Sequence, residues 1–332
     1  MSQSVEIRAR EVVAIAVGGS EVLEVRDLVP ADPGQGQIRI RHTAIGVNFI
    51  DVYFRTGLYP WPVDSDLVLG SEAAGVVDAV GDGVTEFSVG DRVVYTVANG
   101  AYATHRLVDA AMVVALPDSI DDETAAAVML KGLTASYLLH DSYRVKAGDT
   151  ILFHAAAGGV GSLAGQWLKA KGAKVIGTAG GGSKCALAMN NGYDHVIDYL
   201  VEDVAARVME ITGGAGVDAV YDSVGVDTVM TSLKCLKQFG TLICFGQSSG
   251  PALDFKISDL AAGSFHLTRP ILFHFVAKRT WLDASARDLF KLIADGVINV
   301  PINQRFALEN VRDAHDALEG RTTTGCTVLT VT

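Results

Sequence analysis

A glycine-rich turn is the first feature of the sequence that points to a chemistry. The segment from His154 to Gly161 reads His-Ala-Ala-Ala-Gly-Gly-Val-Gly, an A-x-G-x-x-G pattern with Ala156 where the first glycine of G-x-G-x-x-G usually stands. Gly158 lets the backbone approach a pyrophosphate, and Gly161 lets the following helix pack closely on the strand. The amide groups at the helix start then attract negative charge. The pattern predicts a dinucleotide site, the alternative being a tight turn needed only for packing.

The charge beyond this turn predicts which dinucleotide is bound. NAD sites usually carry an acidic residue about 20 residues past the glycines, where it binds the ribose 2′-hydroxyl. No carboxylate occurs from Thr150 to Tyr193, although the whole chain has a net charge of −11. Ser183 and Lys184 follow three consecutive glycines at this position, and a cation there attracts a 2′-phosphate. We therefore expect NADPH rather than NADH. The alternative is that Lys184 is a solvated lysine at a helix start.

A second motif offers a different chemistry. Residues Gly246 to Gly250 match the G-x-S-x-G nucleophile elbow of hydrolases, and Asp283 and His315 follow in the order of a catalytic triad. An elbow must open directly into a helix, whereas residues 251–255 have an extended pattern. A phosphate-binding turn on the first strand of the same sheet also fits a cofactor better. We therefore expect no hydrolase activity.

The elements that must position these motifs change in rhythm near residue 126. Before that point the sequence predicts a β-rich unit of short alternating strands, including 37–45 and 73–80, separated by turn signals. After it, strands and helices alternate, which is typical of a doubly wound parallel sheet. The predicted strands there are 150–154, 174–178, 195–198, 218–221 and 241–245. A final strand over 327–331 is expected to return to the first unit, so the predicted domains are 1–125 with 270–332, and 126–269.

The composition limits the class of protein. The 332 residues are 49% hydrophobic and 20% charged, which suits a large buried core and excludes a disordered chain. The acidic balance disfavours binding to nucleic acid or to an anionic membrane. Four cysteines without a CxxC pair imply no disulfide framework. The uncharged window 150–168 contains four glycines and is read as a strand, turn and helix rather than a membrane span. We expect a cytoplasmic protein.

Eight segments of the chain also carry a family resemblance. The chain resembles the NADPH:quinone oxidoreductases, the zeta-crystallin-like branch of the medium-chain dehydrogenase/reductases, over nearly its whole length. This resemblance implies an α/β protein in which a GroES-like catalytic domain, built from both chain ends, accompanies a Rossmann domain, with NADPH in the cleft between them. The segments that carry it are 44–53, 55–60, 70–75, 130–134, 153–161, 220–225, 245–250 and 268–270.

The resemblance further implies which residues contact the cofactor. Each is carried over by its position in a matching segment. The implied contacts are Phe49 and Tyr53 on the nicotinamide side, Tyr137 on the first inter-domain helix, Gly158, Gly159, Val160, Gly161 and Ser162 at the pyrophosphate, Gly180, Ser183, Lys184 and Tyr199 at the 2′-phosphate, Val224, Gly246, Gln247 and Ser248 at the nicotinamide ribose, and Arg321 reaching back late in the chain. The flexible run from Gly180 to Ser183 departs from the expected pattern and weakens the case for tight 2′-phosphate binding.

A metal is not expected. The zinc-dependent alcohol dehydrogenases of the same superfamily carry a cysteine where this chain has Asn48 and a histidine where it has Ser71. Glu72 remains, but one carboxylate cannot supply the three protein ligands that a catalytic zinc needs. The four-cysteine structural zinc lobe is also missing, and no histidine pair has ligand spacing. We therefore predict a metal-free protein.

Without zinc, other groups must orient the acceptor. The candidate catalytic residues are Asn48, Tyr53 and Tyr59, because a tyrosine hydroxyl can donate to a quinone oxygen that gains charge. Asn48 can do the same or fix the nicotinamide carboxamide. The alternative is that the two tyrosines are pocket walls whose rings stack on a flat acceptor. Three nearby candidates that the spacing does not select are His42, Lys131 and Arg269.

Three functions remain open at this stage. The favoured one is NADPH-dependent reduction of quinones or related carbonyl acceptors. A second is reduction of the C=C bond of enones or enoyl thioesters, and a third is a cofactor-binding structural or regulatory role. We also expect a homodimer, because residues 263–268 are apolar, β-prone and last in the nucleotide-binding sheet. An exposed strand edge is a template for pairing, and the resemblance implies that two subunits join there.

Overall fold

The chain divides into two compact units, as the computed structural model describes them over residues 9–331. The β-rich unit takes the described residues up to Leu130 together with Val276–Phe290 and those from Ile302 onward. The parallel-sheet unit consists of Lys131–Phe275 and Lys291–Pro301.

The division therefore falls five to six residues beyond the boundaries expected at 125 and 269, and it adds a second segment to the parallel-sheet unit. Hydrogen bonds from Gln166 explain why this second segment, Lys291–Pro301, belongs to the parallel-sheet unit. The side-chain amide of Gln166 donates to the carbonyl of Asn299 at 3.0 Å and accepts the N–H of Asn299 at 2.8 Å. These two hydrogen bonds attach the segment to the helix that contains Gln166. No local sequence pattern predicts this contact.

Sixteen strands and nine α-helices occur within residues 9–331. The strands are β1 (Arg10–Ala14), β2 (Leu23–Asp27), β3 (Gln37–Val47), β4 (Leu67–Val68), β5 (Glu72–Val80), β6 (Arg92–Thr96), β7 (His105–Asp109), β8 (Val113–Ala115), β9 (Thr150–Phe153), β10 (Lys174–Ala179), β11 (His195–Asp198), β12 (Val217–Asp222), β13 (Leu236–Cys244), β14 (His266–Thr268), β15 (Ile302–Ala307) and β16 (Cys326–Thr330). The helices are α1 (Phe49–Arg55), α2 (Asp122–Tyr137), α3 (Gly159–Ala170), α4 (Gly182–Asn190), α5 (Val204–Ile211), α6 (Val229–Cys235), α7 (Leu272–Val276), α8 (Arg279–Ala294) and α9 (Val311–Glu319).

The β-rich unit is built on a seven-stranded sheet. Its order is β15-β16-β3-β5-β6-β8, with β7 also paired to β3, and a small sheet β2-β1-β4 accompanies it. Along β3 the first residues alternate in burial, so Ile38 and Ile40 enter the core, as expected for a strand with one solvated face. β16 pairs antiparallel with β3. The predicted return of the last strand to the N-terminal unit is confirmed.

The parallel-sheet unit contains one six-stranded sheet in the order β11-β10-β9-β12-β13-β14. Every neighbouring pair in it is parallel. The chain runs outward from β9 to β11 and then returns to build the other half from β12 to β14. Ligands of such sheets bind at the carboxyl ends of the strands where the order reverses, which here is beside β9 and β12. The predicted doubly wound parallel sheet is confirmed.

The largest difference from the predicted elements lies at β13. The sequence suggests a helix over 227–237 and a strand over 241–245, whereas α6 ends at Cys235 and β13 begins at the next residue. Leu236 pairs with Val217 before a shift in register. The shift is accommodated at Phe239, which adopts a left-handed φ of 63°. The left-handed position is taken by Phe239 rather than by the adjacent Gly240, so the glycine in the sequence does not mark where the bulge lies.

The uncharged window 150–168 folds as predicted into β9, a turn and most of α3. Among residues 9–331, no helix is long and apolar enough to cross a membrane.

Candidate functional site

The glycine-rich turn connects β9 to α3 at the reversal point of the parallel sheet. Ala155 takes a left-handed φ of 53°, and the amide of Ala156 donates to the carbonyl of Thr178 at 2.9 Å. A Cβ atom at Gly161 would lie 2.4 Å from the carbonyl oxygen of Ala155, so only glycine allows α3 to start this close to the strand. Gly158 is the N-cap of α3 and provides no side-chain cap. Backbone N–H groups at this end of the helix therefore face the space where a phosphate would bind.

The loops that follow β12 and β13 are held against each other by backbone hydrogen bonds. The amide of Ser248 donates to the carbonyl of Ser223 at 3.1 Å. Gly225 has a φ of 101°, and a Cβ there would lie 2.3 Å from the carbonyl oxygen of Gly250. The structure thus brings together, at the carboxyl ends of two adjacent strands, the predicted ribose contacts Val224, Gly246, Gln247 and Ser248.

A buried hydrogen-bond chain beneath these loops was missed by sequence reasoning. Asp222 accepts the amide of Val224 at 2.8 Å and the hydroxyl of Ser232 at 2.8 Å. Ser232 is also hydrogen-bonded to Nε2 of His154, whose Nδ1 meets the hydroxyl of Thr178, both at 3.0 Å. Burial lowers the pKa of His154, so its ring is a neutral hydrogen-bonding partner. The chain links the ends of β9, β10 and β12. The adjacency of His154 to the glycine turn was the available signal.

The segment predicted to hold a 2′-phosphate lies between β10 and α4. Lys184 is half-buried in the first turn of α4, and Ser183 beside it is exposed. A Cβ at Gly180 would lie 2.6 Å from the hydroxyl of Tyr199, so the predicted pair of Gly180 and Tyr199 is in contact range.

A carboxylate also reaches this segment, which the sequence argument did not anticipate. Asp198 ends β11 directly beside Ala179 of β10, and it accepts the amide of Gly181 at 2.9 Å. Burial raises the pKa of Cys185, and the charges of Asp198 and Glu202 raise it further. Residues 150–193 contain no carboxylate, but the fold places the carboxylate of Asp198 next to them. The register of two parallel strands supplies the missing information.

Two implied cofactor contacts lie apart from these loops in the chain. Tyr137, near the end of α2, is buried, and its ring stacks on Phe275 with centroids 4.7 Å apart. Arg321 is exposed and has a left-handed φ of 55° just after α9. Ser162, also predicted at the pyrophosphate, turns its hydroxyl back to the carbonyl of Gly158 at 2.8 Å.

The acceptor candidates lie on and beside α1 of the β-rich unit. Asn48 is the N-cap of α1, and Tyr53 lies one turn along it. The ring of Tyr53 contacts that of Phe49 at 6.2 Å and that of Tyr59 at 5.2 Å between centroids. Tyr53 is buried and Tyr59 is half-buried. These rings form one aromatic cluster, which has flat apolar surface and two hydroxyl groups.

The positions that correspond to zinc ligands in related dehydrogenases do meet, but their donors are already engaged. The Asn48 amide donates to one Glu72 oxygen at 2.9 Å, while the other Glu72 oxygen accepts the N–H of Leu130 at 2.5 Å. Ser71 donates to Asp51 at 2.7 Å. A neutral amide, a hydroxyl and one carboxylate do not make the thiolate and imidazole set that zinc prefers. Among the residues described, no group of three or more His, Cys, Asp or Glu could hold a metal.

The geometry also argues against the hydrolase motif. After β13 ends at Cys244, the chain forms turns, and the next helical segment is a short 3-10 helix beginning at Ile257. The triad candidate His315 has both ring nitrogens occupied, Nδ1 by Arg55 at 3.2 Å and Nε2 by Tyr102 at 3.0 Å. A general base needs one free nitrogen to take the proton of its nucleophile.

Two family models match separate parts of the chain. The alcohol dehydrogenase GroES-like domain matches residues 34–118, and the zinc-binding dehydrogenase domain matches residues 159–287. The first falls within the β-rich unit, and most of the second falls within the parallel-sheet unit.

Individual proteins match over nearly their full lengths. A quinone oxidoreductase of Pseudomonas aeruginosa is 50% identical over 97% of this chain and 99% of its own. A 2-haloacrylate reductase of Burkholderia sp. is 42% identical over 94% of this chain and 96% of its own. The crystal structure of an Escherichia coli quinone oxidoreductase complexed with NADPH superimposes with a TM-score of 0.95 at 45% identity, covering 97% and 99% of the two chains. The predicted combination of a GroES-like and a Rossmann domain is confirmed.

Proposed function

The chain belongs to the quinone oxidoreductase family of the medium-chain dehydrogenase/reductases, and from this premise we propose that it transfers reducing equivalents from NADPH to quinones. The observation that carries the proposal is the similarity to named quinone oxidoreductases, which extends through both units. The glycine turn at the sheet reversal agrees with it, because that position is where dinucleotides bind in such folds.

The parallel-sheet unit has the features needed to hold the cofactor. Gly158, Gly159, Val160 and Gly161 offer a backbone surface for the pyrophosphate, and Lys184 with Ser183 offers a cation and a hydroxyl for the 2′-phosphate. Bound NADPH supplies a hydride, and complete reduction of a quinone also takes up one proton. The loops stabilised by Asp222 would support the nicotinamide ribose. The residues proposed for that contact are Val224, Gly246, Gln247 and Ser248, with Tyr137, Tyr199 and Arg321 as further contacts.

In the β-rich unit, the aromatic cluster of Phe49, Tyr53 and Tyr59 is the proposed acceptor surface. Its rings stack on a flat quinone, and the Tyr59 hydroxyl donates a hydrogen bond to the oxygen that gains charge. Asn48 fixes the start of α1, because its amide is anchored on Glu72. The proposal therefore assigns Asn48 an orienting role and Tyr59 the direct contact.

The decisive experiment follows NADPH oxidation with 9,10-phenanthrenequinone, 1,4-benzoquinone and an enone. Turnover with the quinones at least tenfold above that with the enone supports the proposal. Preference for the enone favours C=C reduction instead, for which the similarity to a 2-haloacrylate reductase is the specific observation. NADPH binding without turnover of any of the three acceptors leaves the structural or regulatory role.

We propose further that the activity needs no metal. Asn48 and Ser71 cannot replace a thiolate and an imidazole. Overnight incubation with EDTA or phenanthroline should leave the NADPH–quinone rate unchanged. Stoichiometric zinc that is lost together with activity would contradict this expectation.

A homodimer is also proposed. β14 is the edge strand beside β13, and its residues His266 and Leu267 are exposed. An edge of this kind can pair with a second copy. Sedimentation should show a particle of about twice the 35.0 kDa chain mass at micromolar concentration, and a monomer there would refute the proposal. A cytoplasmic location remains a prediction.

A further inference from the structure

A buried hydrogen-bond chain in the β-rich unit ends at the proposed acceptor segment. Asp51 is fully buried, and its carboxylate accepts three hydrogen bonds: Ser71 Oγ at 2.7 Å, the Asn48 backbone N–H at 2.9 Å and the Tyr102 hydroxyl at 3.0 Å. Tyr102 is itself hydrogen-bonded to His315. The three bonds to Asp51 converge on the first turn of α1, and Tyr102 extends the network to α9.

The direction of each hydrogen bond follows from Arg55, which lies at the other end of this hydrogen-bond network from Asp51. An arginine can only donate, so Nδ1 of His315 accepts from Arg55 at 3.2 Å. Nε2 of the same ring then carries the proton and donates to the Tyr102 hydroxyl, which in turn donates to Asp51. Burial and the Arg55 charge lower the pKa of His315 to about 3, so the ring is neutral as this direction requires. Arg55 also pairs with the half-exposed Glu319 at 2.6 Å.

We propose that Asp51 is a positioning residue for the acceptor site, and that only its charged form firmly holds the Asn48 backbone and with it the start of α1. This inference rests on the proposed function, since it assigns the acceptor to that segment. A protonated Asp51 would place a further hydrogen among three donors. The Ser71 hydroxyl can reverse its direction, but the Asn48 backbone N–H cannot, so its bond to Asp51 weakens and the start of α1 is held only by the Asn48 side chain on Glu72.

The ionisation lies in an accessible pH range. Burial raises the pKa of Asp51 to about 7, against the opposing effect of its three donors, and the neighbouring charge of Glu72 raises it further. The other groups that face it are the hydroxyls of Ser71 and Tyr102, with Arg55 acting through His315. Burial also raises the pKa of Tyr102 well above its usual range, so Tyr102 stays protonated while Asp51 titrates.

The test measures kcat/KM for the quinone between pH 5.5 and 8.5 at saturating NADPH. The wild type should lose activity as the pH falls through about 7. Asp51→Asn should abolish this acid limb and run at about one-tenth of the wild-type plateau. Tyr102→Phe removes one donor to the carboxylate, which disfavours the charged form and should move the limb upward by about one pH unit.

Tyr95→Phe is the matched control. Tyr95 is a fully buried tyrosine of the same unit, and its hydroxyl also meets a buried histidine, His42, at 3.0 Å. It has no hydrogen bond to Asp51 in the described network, so its removal should leave the limb in place. An equal shift in Tyr95→Phe and Tyr102→Phe, or a limb that persists in Asp51→Asn, would overturn the assignment to Asp51.

A stability measurement assigns the titration without using activity. Asp51 binds its proton at higher pH in the folded than in the unfolded chain, so the wild type should lose Tm relative to Asp51→Asn as the pH rises from about 5 to 8. A Tm difference independent of pH would refute the proposal.

If Asp51→Asn does not fold, the test rests on the position of the acid limb in Tyr102→Phe compared with Tyr95→Phe. Absence of quinone turnover at every pH would overturn the proposed function itself, whereas turnover without an acid limb would overturn only the role of Asp51.

Discussion

The two candidate sites of this protein are built from different parts of the chain. The cofactor site in the parallel-sheet unit is formed largely by backbone: glycines, helix-start amides and strand ends that follow one another within short sequence segments. The acceptor segment in the β-rich unit is held by side chains that are distant in sequence. Tyr102 is 51 positions from its partner Asp51 and 213 positions from its partner His315. A site formed by backbone should lose ligand affinity when a substitution adds a side chain to one of its glycines. A site held by side chains should lose activity when a substitution removes one hydrogen-bond donor or one charge.

The largest expected effect comes from filling the glycine turn. Gly161→Ala would force a Cβ to within 2.4 Å of a backbone carbonyl oxygen, whereas in Gly158→Ala the nearest atom, also a backbone oxygen, is 3.2 Å away. Overpacking of this kind costs about 1–3 kcal/mol or more. We expect Gly161→Ala to lower Tm by about 3–10 °C and to weaken NADPH binding about 100-fold or more, measured by scanning calorimetry and cofactor fluorescence.

Gly158→Ala separates the two explanations of the turn. It should change Tm by less than about 2 °C and still raise the Kd for NADPH about tenfold, because the methyl group keeps the pyrophosphate from the backbone. If Gly158→Ala left NADPH affinity untouched, the turn would serve packing alone.

This contrast also explains which features could be read from the sequence. The turn, its strand and its helix are contiguous from Thr150 to Ala170, so spacing alone reveals them. Apart from the local N–H of Asn48, the partners of Asp51 come from the residue before β5, from the loop before β7 and, through Tyr102, from α9, and no pattern in α1 predicts them. Asp198 was missed for an intermediate reason. Its strand was predicted, but the register that sets it beside Ala179 is tertiary information.

The second prediction concerns Lys184. One charge-assisted hydrogen bond contributes about 1.5–3 kcal/mol, which corresponds to roughly 10- to 150-fold in affinity. Lys184→Ala should therefore raise the KM for NADPH by about that factor and leave the KM for NADH within about twofold. Lys174→Ala is the control, because Lys174 is exposed at the opposite end of β10. Equal losses for both cofactors in steady-state kinetics would show that Lys184 does not contact the phosphate.

The third prediction tests the acceptor segment by removing one hydroxyl. Tyr59→Phe keeps the ring packed against Tyr53 and removes only the proposed donor. We expect kcat for quinone reduction to fall about tenfold, because a donor to developing negative charge contributes most in the transition state. The KM for NADPH should stay within about twofold, and Tyr95→Phe should leave both parameters near wild type. A kcat within twofold of wild type would favour the alternative in which the tyrosines only stack on the acceptor.

The smallest expected effect tests whether the cofactor site is as electropositive as its sequence suggests. Asp198 lies at the 2′-phosphate segment through its hydrogen bond to the Gly181 amide, and its charge opposes that of Lys184. Asp198→Asn keeps an oxygen that can accept the amide and removes the charge, so NADPH should bind about threefold tighter and NADH about as before. The gain should shrink at 0.5 M salt, where charges are screened over a few ångströms. Titration calorimetry at low and high salt measures both effects. Weaker binding of both cofactors would mean that Asp198 acts by shaping the loop, and the cofactor site would then depend on a side chain in the same way as the acceptor segment.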